Sequence, residues 1–147
     1  MARNWTLEDV ATDIWGHLER NPGGFEIGDL TRVVSRSIGV DLGRSVIHRA
    51  FEVLRDEVQS DQGRAFITYR SLGRTVYALA TEFYQVLAYQ LTRERVNLTR
   101  ARRDERNALA AIQQWPDRRD ARQLVRSKTR VREDIEDRIE ELETVLG

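Results

Sequence analysis

Arg44, Ser45, His48 and Arg49 stand at i, i+1, i+4 and i+5, a spacing that gathers them on one side of a helix. Guanidinium groups bond guanine edges or phosphates, and a serine near a helix N-terminus donates to phosphate. This set points to recognition of a phosphodiester or a base edge. The alternative reading is a solvated helix face. Gln62 and Arg64 follow on a turn-like stretch, where they can touch a nucleic-acid backbone or minor groove. Other chemistry lacks residues. His17 and His48 are the only histidines and there is no cysteine. Neither histidine has a serine placed beside it for nucleophilic catalysis. Phosphate-binding glycine loops, paired-glycine dinucleotide motifs and metal-spaced His/Asp clusters are missing from the sequence. The chain is expected not to be an enzyme and to need no cofactor or metal.

A second basic group lies later. Residues 100–132 carry ten Arg and Lys128 against four acids, a net of +7, and residues 133–147 carry seven acids against Arg138, a net of −6. Arg102, Arg103, Arg118 and Arg119 form the centre of the basic stretch. They are read either as a phosphate-binding surface with salt-sensitive affinity or as a contact for an acidic partner protein. A solvated helix end with arginine stems covering apolar surface is the plain alternative. Residues 1–75 hold ten Arg against eleven acids, a net of −1, which is unusual for a DNA-binding head.

These groups need elements to position them. With 147 residues, 33% charged and 40% hydrophobic, the chain suits one compact head with a helical extension. It has no run long and apolar enough for a membrane span. Met1–Trp5 lacks the apolar core of a signal peptide, so a cytoplasmic location is expected. The head is expected over residues 1–75. Thr6-Leu7-Glu8-Asp9 resembles a capping box opening a helix with Leu7, Val10, Ile14, Trp15 and Leu18 on its inner face. Asn21-Pro22-Gly23-Gly24 ends it. Phe25-Glu26-Ile27 suits a very short strand, Asp29 a cap for a second helix, and Gly39 its stop. A third helix is predicted near Arg44–Glu57, burying Ile47, Ala50, Phe51 and Leu54. Val58-Gln59-Ser60 and Arg64–Tyr69 are predicted to pair as a hairpin across Asp61-Gln62-Gly63. Two helices joined tightly and followed by a hairpin form a helix-turn-helix with a wing. Trp5, Trp15 and Trp115 are read as core or staple residues.

Between Ile14 and about Ala80 the sequence resembles the PadR-type transcriptional regulators. The points of similarity are Asn21-Pro22-Gly23-Gly24-Phe25-Glu26-Ile27, the run Val46–Leu54 as recognition helix, and Gly63–Gly73 with Tyr69-Arg70-Ser71-Leu72-Gly73-Arg74 as wing and approach to the C-terminal helix. The resemblance covers under half the chain. It departs at His48, where the family usually has tyrosine, and at Asp56-Glu57-Val58-Gln59, where the family is richer in apolar residues. It implies a homodimeric repressor on double-stranded DNA, with C-terminal helices that dimerise.

Residues 76–147 are expected to form a long antiparallel helical hairpin, coiled-coil-like and dimerising. Arg74–Gln114 is predicted as one helix of about forty residues, roughly 60 Å long. From Val76 to Leu91 it is apolar on nearly every side, so Phe83, Tyr84, Leu87 and Leu91 are expected at a dimer interface. Two heptad series follow, from Tyr84 to Ile112 and from Leu87 to Trp115. Trp115-Pro116-Asp117 breaks the helix. A second helix, from about Asp117 to Leu146, folds back so that its acids lie alongside Arg93, Arg95 and Arg100. Pairing within one chain and helices swapped between chains both fit. So does a pocket for a small-molecule effector at the dimer interface. The fold class is therefore mainly α with a small β-hairpin wing. The expected function is a dimeric winged-helix regulator reading a palindromic site. The rival is a winged-helix and coiled-coil adaptor that binds protein without reading DNA.

Overall fold

The computed structural model describes residues 4–59 and 63–147. Gln62, Ser60 and Asp61 lie outside the described residues. The elements are α1 (Leu7–Arg20), α2 (Ile27–Ile38), α3 (Arg44–Val53) continued by a π-helical turn (Leu54–Val58), β1 (Phe66–Ser71), β2 (Arg74–Leu79), α4 (Phe83–Gln114) and α5 (Arg119–Leu146). The chain divides into two compact units, Met1–Val86 and Leu87–Gly147. The expected boundary near residue 75 falls inside β2.

The capping box at α1 is present. The Thr6 hydroxyl accepts from the Asp9 N–H at 3.1 Å, and the Asp9 carboxylate accepts from the Thr6 N–H at 2.9 Å. Two of the helix's orphan donors are thereby satisfied. The α1 face Val10, Ala11, Ile14, Trp15 and Leu18 is buried, as its periodicity requires. Leu30 and Val34 of α2, Leu42, and Ile47, Ala50, Phe51 and Leu54 complete the helical part of the core. Phe66 and Leu79 close it from the hairpin side.

Asp29 does not cap α2. Glu26 holds that position, without a side-chain cap bond, and Asp29 sits in the first turn. Asp29 instead forms an ion pair with Arg32. Gly39 ends α2 in the left-handed region, with φ 85. Ser35 then fixes the turn into α3. Its carbonyl accepts from the N–H groups of Gly39 and Val40, and its hydroxyl accepts from the Leu42 N–H at 3.0 Å. Leu42 is thus held in the core, 5% exposed, and α3 starts in a fixed direction.

The β-hairpin is displaced from its expected position. Phe66–Ser71 pairs antiparallel with Arg74–Leu79, from Phe66 opposite Leu79 to Ser71 opposite Arg74. The turn is Leu72-Gly73, with φ 51 and 77. Two successive positive φ values match the right-handed twist of the flanking strands. Gly63 does take a positive φ of 64, but its N–H returns to the Gln59 carbonyl, so it closes the helical segment instead of a hairpin. The Gln59 side chain accepts from the Phe66 N–H at 2.8 Å and so leads into β1. Arg74–Leu79, expected in the long helix, are a strand in which Tyr77 and Leu79 face the helical core, Tyr77 stacking on Phe51 at 4.7 Å, while Val76 and Ala78 are buried on the other face. Of Phe25-Glu26-Ile27, only Phe25 pairs, in a single bridge to Tyr77; Ile27 opens α2.

In the second unit α4 and α5 run antiparallel within one chain. Glu94 meets Arg138 at 3.2 Å, Arg95 meets Glu143 at 3.3 Å, and Glu105 meets Arg132 at 2.8 Å. Arg93 instead lies over the Tyr89 ring. Pro116 sits in the break between the helices, where its missing N–H costs no helical bond. Leu91, Ala101, Ala108 and Ile135 are the buried residues of this unit. No helix among the described residues is long and apolar enough to cross a membrane.

Candidate nucleic-acid interface

The α3 face opposite the core carries Arg44, Ser45, His48 and Arg49, all exposed. Their burial partners on the same helix, Ile47, Ala50 and Phe51, fix which way this face points. Among the described residues neither Arg44 nor Arg49 has an acid within ion-pair distance. Arg44 reaches back over α2: one of its terminal nitrogens lies 3.3 Å from where a Cβ on Gly28 would stand. A side chain at position 28 would therefore crowd the guanidinium. Glu26, Gly28, Asp29, Arg44, Arg74 and Thr75 line an open cleft of about 470 Å³ between the starts of α2 and α3 and strand β2.

His48 is exposed but not isolated. Its ring packs edge-on to Phe51 at 5.6 Å and to Tyr77 at 6.3 Å. The ring is thus seated on the aromatic group that joins α3 to β2. Phe51, Phe66 and Tyr77 form that group, with Arg55 over the Phe66 ring at 4.9 Å. The Arg55 Nε is buried without a hydrogen-bond partner.

The hairpin places different residues from those expected. Arg64 is half-buried and precedes β1, at the opposite end of the hairpin from the turn. The tip is Leu72-Gly73, flanked by Arg70 and Arg74. Leu72 is 99% exposed at positive φ. Arg70 donates to the Thr75 hydroxyl and to the Gly73 carbonyl, which braces the turn. Arg74 donates to both Glu26 carboxylate oxygens at 3.2 Å. Arg70 and Leu72 were foreseen only within the expected wing run, and the tip itself was missed because leucine carries no turn signal; the glycine after it was the visible clue.

In the second unit Arg102, Arg103 and Arg119 are exposed, with no ion pair among the described residues. Arg118 differs: both its Nε and a terminal nitrogen donate to Asp120, at 3.0 and 2.7 Å. That contact holds the Asp120 carboxyl below its ordinary range. Arg132, part of the basic stretch, turns inward to Glu105 and Glu136, each at 2.8 Å. Hydrogen bonds from Thr129, then Arg132, hold the Glu105 carboxyl below its usual range.

Of the residues expected at a dimer interface, Leu91 is already buried within one chain, at 8% exposure, and needs no second copy for that. Leu87 is half-buried, whereas Phe83 and Tyr84 are 73% and 57% exposed. Trp15 is a core residue as expected, but Trp115 is 51% exposed. Among the described residues no group of three or more His, Asp or Glu could hold a metal ion. Compared with protein-family models, curated proteins and solved structures, the chain matches none.

Proposed function

We propose that the first unit is a winged-helix head that binds double-stranded DNA, and that the protein is a homodimeric transcriptional regulator of the PadR-like kind, acting as a repressor. The supporting observation is the outward edge of α3: Arg44 and Arg49, exposed and without acidic partners among the described residues, beside Ser45 and His48. In this reading α3 lies in the major groove, the groove wide enough for a helix. Arg49 meets a base edge. Arg44 and Ser45, in the first turn of α3, hold phosphate. The hairpin tip Arg70–Arg74 follows the backbone, taking the role first given to Gln62 and Arg64.

A second reading draws on the charge of residues 1–75, which is −1. A head this close to neutral gains little from phosphate attraction and fits a protein-binding adaptor equally well. Selection from a random duplex pool across a salt series, followed by sequencing, separates the two. A DNA regulator recovers a palindrome, and Arg49→Glu abolishes its retention. Arg44→Glu lowers affinity on all sequences and reduces the salt slope by about one phosphate contact, roughly 0.9 in log–log units. Sequence-blind retention that disappears with salt, unchanged by Arg49→Glu, overturns the regulator reading and leaves the adaptor.

A further inference from the structure

The basic stretch of the second unit divides into arginines that are held and arginines that are free. Arg118 is clamped on Asp120, and Arg132 on Glu105 and Glu136. Arg119, Arg126 and Arg130 are exposed and have no ion pair among the described residues. They stand at i, i+7 and i+11 of α5, on the side turned away from the buried Ile135. Beyond Arg130 that side becomes acidic at Asp134 and Asp137, so the basic edge is bounded there and extends only toward the turn.

Two hollows lie beside this edge. Trp115, Arg118, Asp120, Ala121 and Leu124 line one of about 450 Å³ at the turn. Gln123, Arg126, Ser127, Arg130, Val131 and Asp134 line a second of about 290 Å³. Leu124 of the first and Ser127 of the second are neighbours at i, i+3, so the hollows adjoin, with centres about 10 Å apart along the axis. The first offers the ring of Trp115, 51% exposed, beside an Arg118–Asp120 pair whose charges cancel. The second offers two free guanidinium groups, with Gln123 and Ser127 as further donors.

An aromatic face next to uncompensated cations matches a nucleic-acid base and the phosphates that adjoin it. Protein-binding surfaces are depleted of charge at their centre, whereas nucleic-acid-binding surfaces are far more positive. Here the cations occupy the middle of the surface. Within a duplex the base faces are stacked on one another and closed to a ring such as Trp115; an unpaired base presents its face. We propose that the turn end of the hairpin binds single-stranded nucleic acid, with a base stacked on Trp115 and the adjoining backbone held by Arg126 and Arg130.

In this arrangement one base enters the first hollow, between Trp115 and Leu124. The backbone then passes Gln123 and Ser127 into the second, where the forked guanidinium groups of Arg126 and Arg130 take phosphate oxygens. Arg119, nearer the turn on the same side of α5, takes a third phosphate. Asp134 and Asp137 repel a strand that runs further along the helix, which sets the end of the site. Stacking accepts any base, so little sequence preference follows. The inference does not rest on DNA binding by the head, because the site lies wholly in the second unit.

The test is fluorescence anisotropy of labelled oligothymidine, about 12 nucleotides long, titrated with the full chain across a salt series. Three phosphates at roughly 0.7 each give an expected log–log salt slope of about −2, and Arg126→Gln with Arg130→Gln reduces it to about −0.7. Trp115→Ala should weaken binding about tenfold, and Trp115→Phe much less, since a ring still stacks. All three positions are exposed, so the fold tolerates these changes. Oligouridine is run beside oligothymidine; binding of either supports the proposal, and the tighter one identifies the sugar. Arg49→Glu, which removes a cation that the α3 reading needs, should leave these affinities unchanged, so the two proposals fail separately. Loss of single-strand binding in that variant overturns the present one, as does a blunt duplex bound by that variant as tightly as the single strand. Full affinity in Trp115→Ala overturns it too. Displacement of the oligonucleotide by polyglutamate at equal charge overturns it in favour of an acidic protein partner.

Discussion

Replacing Gly24 by alanine should destabilise the first unit far more than the same change at Gly39. Both glycines have positive φ, 75 and 85. An L-residue in that region costs about 1–2 kcal/mol. At Gly39 nothing lies within 4 Å of an added Cβ, so that cost is the whole effect. At Gly24 the Cβ would stand 2.5 Å from the Tyr77 carbonyl oxygen, 2.7 Å from a Val76 methyl and 2.9 Å from the Ala78 Cβ. All three belong to the paired strand β2, one a backbone oxygen and two atoms of buried side chains, so the loop must move away from β2. The neighbouring bridge then suffers, in which Phe25 and Tyr77 exchange N–H···O bonds of 2.9 and 2.8 Å. Each such bond is worth about 0.5–1.5 kcal/mol net. Gly24→Ala should therefore cost about 2–5 kcal/mol and Gly39→Ala about 1–2 kcal/mol. Urea unfolding of the full chain, followed by tryptophan fluorescence with Trp115→Phe in the background, confines the signal to the first unit. Equal midpoints for the two variants would refute the argument that close approach to β2, beyond local φ strain, requires glycine at 24.

Leu72→Asn should raise stability, by about 1 kcal/mol, because asparagine tolerates the positive φ at the hairpin tip and a 99% exposed leucine has no packing to lose; a lower thermal midpoint would refute this. Phe51→Ala should cost about 3–5 kcal/mol and unfold much of the first unit, since the ring is 2% exposed and packs on both Phe66 and Tyr77; circular dichroism in urea gives the value, and a cost below that of an ordinary surface change contradicts the packing. The hairpin should lose helix on acidification. Glu105 and Asp120 have carboxyls held below the ordinary range in the folded state, so their contribution is present above the unfolded pKa and fades as pH falls through the folded one. Far-UV circular dichroism against pH should show a flatter acid limb for Glu105→Gln, and an unchanged limb would remove Glu105 from the account.

Much of the architecture was legible in the residues alone, because it rests on local rules. The Thr6–Asp9 box, the Gly39 stop and the inner face of α3 each depend on side chains within a turn or two of one another. The fold-back of α5 on α4 was foreseen from opposed charge: Arg95 meets an α5 acid as expected, through Glu143, while Glu94–Arg138 and Glu105–Arg132 carry the charges the other way round. The exposed α3 set was legible for the same reason: the core positions Ile47, Ala50, Phe51 and Leu54 leave Arg44, Ser45, His48 and Arg49 outside.

The location of the hairpin was decided by tertiary structure. Arg74–Leu79 is apolar enough to read as helix or strand, and periodicity over six residues does not choose. The choice comes from Phe51, Phe66 and Tyr77 stacking together and from the Phe25 bridge, contacts between residues up to 52 positions apart. The Leu72-Gly73 turn follows from that pairing, since leucine would not adopt positive φ on its own account. It moved the hairpin tip from Gln62 and Arg64 to Arg70–Arg74. The inward turn of Arg132 has the same origin in part: Glu136, one turn on, supplies one carboxylate locally, and Glu105, brought to it by the fold-back, supplies the other. Local chemistry thus determined which helices form and where they stop, while long-range pairing determined which charged groups remain at the surface.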